Sequence, residues 1–120
     1  MILIYRCSII RYIHRIIHSI AVDDKPTLHQ LYLLKPGGGY EIKIIDTVAD
    51  QWTKLARVLG FDVATCETLA TGKASAIACK DMFICWLKQT FRPATWDWLI
   101  KSLEVSGFTE LAIEVKKVVL

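Results

Sequence analysis

MFICWLKQTFRPATWDWLI, residues 82–100, sets three tryptophans against only three charges, Lys88, Arg92 and Asp97. Pro93 cannot continue a helix, so it divides the stretch in two. Upstream, in KASAIACKDMFICWLKQTF, the residues Ala76, Cys79, Met82, Phe83 and Trp86 recur at helical spacing and form one stripe. Downstream, Thr95 stands where an N-cap is favoured, and Trp96, Leu99, Ile100 and Leu103 line one face until Gly107. At 100° per residue, Trp98 lies about 200° from Trp96, on the side of Lys101 and Val105. Trp86 and Trp96 are therefore expected in a core, and Trp98 off it.

The same periodicity runs outward from there. In DTVADQWTKLARVLGF (46–61), Val48, Trp52, Leu55, Ala56 and Leu59 make one face and Gly60 offers a stop. Asp62 is placed to cap DVATCETLATG, in which Val63, Cys66 and Ala70 line up before Gly72. Thr109 is the expected cap of TELAIEVKKVVL, with Leu111, Val115 and Val118 inward. Its acids come early and its lysines late, which suits the helix dipole. Five helix patterns on short turns, with no convincing strand, predict a compact antiparallel all-α bundle over residues 45–120. A buried tryptophan removes about 200 Å² from water, so Trp52, Trp86 and Trp96 should dominate its stability.

Residues 23–44 read as a connector. Asp24 or Thr27 caps a short helix through Leu28, Leu31 and Leu33, and KPGGGYE (35–41) then acts as a flexible hinge. Its three glycines lack the GK[ST] that a phosphate cradle needs. Residues 1–22 form a basic amphipathic helix, with Ser8, Arg11, His14, Arg15, His18 and Ser19 on one side. Ile9, Ile13, Ile16, Ile17 and Ile20 hold the other. It is too interrupted by arginine to span a membrane. Packing against the domain, contact with a membrane surface, a presequence-like role and a misplaced start codon all fit this pattern.

A net charge of +3 comes largely from Arg6, Arg11 and Arg15, and residues 50–120 carry nine Lys/Arg against eight Asp/Glu. A basic stripe on the folded part is missing, which argues against nucleic acid as a partner. The four cysteines, Cys7, Cys66, Cys79 and Cys85, contain no CxxC pair. They read as reduced thiols in an intracellular setting, and a cytoplasmic location is expected. His14 and His18 sit at i, i+4 with Cys7 nearby, yet HRIIH lacks the Glu of a zinc-protease helix. No triad, carboxylate dyad or nucleotide fingerprint is present, so no catalytic residue, cofactor or metal is expected.

WTKLARVLGF, CKDMFICWL and ATWDWLIKSLEVSGFTELA together resemble the death domain of animal signalling proteins. The resemblance rests on Trp52, Leu55, Ala56, Leu59 and Gly60, on Met82, Phe83, Trp86 and Leu87, and on Thr95, Trp96, Leu99, Gly107, Leu111 and Ala112. It implies a six-helix Greek-key bundle (the death fold), preceded here by the extra N-terminal helix, with a short third helix near Lys73–Ile77. Trp52, Leu55, Leu59, Met82, Trp86, Trp96, Leu99, Leu103 and Leu111 are its expected core. It also implies a non-catalytic adaptor module that assembles with other death-domain proteins in apoptotic or immune signalling.

The wheel places Asp50, Thr53, Lys54 and Arg57 opposite Trp52, and Ile77, Lys80, Asp81, Ile84 and Lys88 opposite Trp86. In the family this resembles, a basic face of the first and fourth helices meets an acidic face of the second and third on a neighbour. Lys54, Arg57, Lys80 and Lys88 against Asp62 and Glu67 fit that scheme. Ile84 and Trp98 are apolar where such domains usually carry polar groups. Either the N-terminal segment covers them or they dock a partner.

Overall fold

The computed structural model describes residues 20–37, 40–90 and 92–119. It opens with a turn at Ile20–Asp24, followed by a short helix, α1 (Leu28–Tyr32). Thr27 caps that helix in a full capping box. Its hydroxyl accepts from the Gln30 amide, and the Gln30 side chain accepts from the Thr27 amide. Strands β1 (Leu34–Gly37) and β2 (Tyr40–Ile42) then pair antiparallel, with Leu34 opposite Ile42.

Six further helices make the bundle. They are α2 (Ile44–Val48), α3 (Trp52–Leu59), α4 (Val63–Ala70), α5 (Ser75–Lys88), α6 (Trp96–Val105) and α7 (Thr109–Val118). A 3₁₀ turn over Ala49–Gln51 joins α2 to α3, so the expected first helix is divided. Gly60 ends α3 at φ 115°, with its N–H donating to the Ala56 and Arg57 carbonyls. Only glycine takes that backbone conformation without a Cβ clash. Asp62 and Thr95 cap α4 and α6 by accepting from the amides of Thr65 and Trp98.

The core is continuous. Trp52, Leu55, Leu59, Met82, Trp86, Trp96, Leu99, Leu103 and Leu111 are all buried in it. Phe83 meets Trp86 edge-on, with centroids 6.1 Å apart. Cys79 is buried where α5 passes α2, and its thiol donates to the Ile45 carbonyl at 3.8 Å. Burial pushes that thiol up to about 12.

Several expectations need correction. The stretch 23–44 is no loose connector, because Leu31, Leu34, Ile42 and Ile44 enter the core. Leu34 and Ile42 anchor a two-stranded hairpin that would be marginal alone. Ile20 is also buried, and the turn it opens straps the start of α6. The Trp96 and Asp97 amides donate to the Asp24 and Val22 carbonyls, at 3.0 and 2.7 Å. Two of the amides that every helix leaves open at its first turn are thereby satisfied.

The short third helix near Lys73–Ile77 does not form separately. Ser75–Ile77 are the first turn of α5, and Lys73 ties the preceding turn to Asp81 at 2.7 Å. Val63 and Ala70 face solvent rather than the core, since α4 buries only Cys66 fully, and Ala76 is exposed in the first turn of α5. Thr109 is the first residue of α7, and Phe108 occupies the cap position. Residues 1–19, with the expected basic helix and its His14, His18 and Cys7, lie outside the described residues. The described part of that expected helix, Ile20–Val22, is not helical.

Candidate docking groove

Packing of α3 against α4 leaves an open groove of about 340 Å³ between them. Thr53, Lys54 and Arg57 border it on α3, and Val63, Cys66 and Glu67 on α4. The reason is local. On α3 the positions 52, 55, 56 and 59 go inward, which turns 53, 54 and 57 outward together. On α4, Cys66 is the one fully buried residue, so Val63 stays half exposed along the floor.

The groove is apolar along its base and bipolar at its edges. Lys54 reaches the Gln51 side chain at 3.1 Å, which holds its ammonium over the α3 rim. Arg57 lies near Asp62 and Cys66. Hydrogen bonds from Thr65 hold the Asp62 carboxyl below its ordinary range, and Arg57 adds to the effect. Burial raises the Cys66 thiol, so it is a poor nucleophile despite lining the groove. Among the described residues neither Arg57 nor Glu67 has a salt-bridge partner. Both charges are left available to an incoming group.

This arrangement revises the expected division of charges. Glu67 does not form a patch apart from Lys54 and Arg57, since all three border one groove, while Asp62 stands outside its lining and feels the charge of Arg57. Lys80 and Lys88 are elsewhere, on α5. Lys80 leans toward Asp81 at 3.9 Å, and Lys88 is exposed at the end of the helix. The signal that a sequence lacks is the packing of α3 on α4, which brings Lys54, Arg57 and Glu67 together.

Trp98 and Ile84 are half-buried rather than open. The Arg92 guanidinium sits over the Trp98 ring, 5.8 Å from its centroid, in a cation–π contact. The strap at Val22 and Asp24 reaches the residues just before Trp98 on the same helix turn. Cover from within the chain thus accounts for part of what an exposed tryptophan suggested. The Trp98 and Trp86 indole N–H groups and the Ser102 hydroxyl are buried without a hydrogen-bond partner among the described residues.

Among the described residues no cluster of His, Cys, Asp and Glu is arranged to hold a metal, and no helix is long and apolar enough to cross a membrane. The groove offers contact chemistry, a hydrophobic floor between opposite charges, with no nucleophile–base pair in it. A search among curated proteins and among solved structures finds no match. The family model described as Death domain matches residues 42–119, from the end of β2 to the end of α7. The chain therefore belongs to the death-domain family, non-catalytic protein–protein interaction modules of signalling.

Proposed function

We propose that this chain is an adaptor-type module of apoptotic or immune signalling that works in the cytoplasm by docking other death domains. The observation that carries the reading is the α3–α4 groove, where Lys54, Arg57 and Glu67 flank a half-exposed Val63. An apolar centre with a charged rim is the usual anatomy of a specific protein contact. The remaining outer-face residues, Asp62, Lys80, Ile84, Lys88 and Trp98, are assigned as a secondary rim that contributes to partner choice.

The test is a binding panel of isolated death domains titrated against the full chain at low and high salt. At least one should bind, more weakly as salt rises, and Arg57→Glu should weaken it by about tenfold, or 1.4 kcal/mol. Failure to bind any death domain overturns the proposal. The same panel includes anionic vesicles. Tighter binding to these than to any death domain would favour the membrane-associated alternative that the basic segment 1–22 suggested.

A further inference from the structure

The outer face of α7 is built as a counterpart to the groove. Ile113 is half exposed there, flanked by exposed Glu110 and Glu114, with exposed Lys117 one turn further on. Positions 110, 113, 114 and 117 share one helix face. Glu110 and Glu114, with Glu41 from β2, also line a shallow concavity that includes Lys43. This end of the molecule therefore leans acidic, whereas the α3 rim of the groove is basic.

The dimensions agree as well as the signs. From Glu110 to Lys117 and from Val63 to Ala70 are equal intervals along a helix, about 10 Å at 1.5 Å per residue. We propose that the α3–α4 groove receives the outer face of α7 from a second copy of this chain. Ile113 seats on Val63 and Cys66, Glu110 and Glu114 meet Lys54 and Arg57, and Lys117 meets Glu67. This specifies the contact for the docking function proposed above and rests on it.

Groove and α7 face use different residues, so the contact is head-to-tail. Each pair keeps one free groove and one free α7 face, and association continues into a ring or a filament. Two helical turns cover less than a standard interface of about 1,600 Å². A single contact is accordingly weak and fails in high salt.

Sedimentation velocity of the full chain over rising concentration tests this. The wild type should form species that grow with concentration. Arg57→Glu and Glu114→Arg should each stay monomeric, with association at least tenfold weaker. Both residues are exposed, and unchanged thermal melts verify that the variants fold. An equimolar mixture should regain association, because the intact α7 face of the first fits the intact groove of the second and the two reversed charges attract each other in turn. Variants that associate like the wild type overturn this contact while leaving the death-domain docking function intact. A mixture that stays monomeric overturns it too. A wild type that never associates rules out self-contact, and the binding panel then decides the docking function by itself.

Discussion

Leu31 stands ahead of the span that matches the family, yet it is 0% exposed in the core of the domain. Leu31→Ala asks whether the lead-in is integral to the fold. The substitution removes three carbons, worth about 2.4 kcal/mol at about 0.8 kcal/mol each. The cavity left behind adds to that, so the expected loss is about 3 kcal/mol. For a domain of about 100 residues, each kcal/mol moves Tm by about 4–8 °C, which gives a fall of about 12–24 °C. Urea unfolding followed by the fluorescence of the buried tryptophans measures the free energy directly. Val105→Ala, at a position 74% exposed on α6, is the control and should change stability by less than about 0.5 kcal/mol. If Leu31→Ala behaves like that control, the strap, α1 and hairpin are appendages and the continuous core is wrong.

Other perturbations follow from single contacts. Gly60→Ala forces a Cβ into φ 115° and should cost about 1–2 kcal/mol in the same urea assay. Native protein treated with a thiol reagent near pH 8 should be modified at exposed Cys85 well before Cys79, which burial holds at about 12; peptide mass mapping would expose the reverse order. In acid, Asp62 and Asp81 matter, because Thr65 and Lys73 respectively hold them below the ordinary value of 3.8. A depressed folded value means stability present above 3.8 and lost as pH falls through the folded values. Asp81→Asn should therefore flatten the fall of Tm as pH drops below 3.8, and an unchanged slope would contradict the assignment.

Much of the bundle is visible in the chain because large apolar side chains repeat at helical spacing. Trp52, Trp86 and Trp96 each carry a stripe with them, and Asp62 and Thr95 mark two helix starts by cap chemistry. Small side chains mislead by the same logic. Val63, Ala70 and Ala76 fit an apolar stripe, but alanine says little about direction and Val63 sits at the open end of a short helix. The hairpin is obscured by its own glycines. Three of them in KPGGGYE read as a hinge, while the deciding residues, Leu34 and Ile42, stand on either side. The groove is the least legible part. A wheel shows Lys54 and Arg57 outward on one helix and Glu67 outward on another, but only the packing of α3 on α4 makes them neighbours.

The most direct test of the docking account is a set of ¹H–¹⁵N spectra of the full chain, recorded as its concentration rises at low salt. The account predicts shifts concentrated at Lys54, Arg57, Val63 and Glu67 on the groove and at Glu110, Ile113 and Glu114 on α7, reversed by salt. Shifts confined to a surface with no assigned role, such as that around exposed Val105, would contradict it.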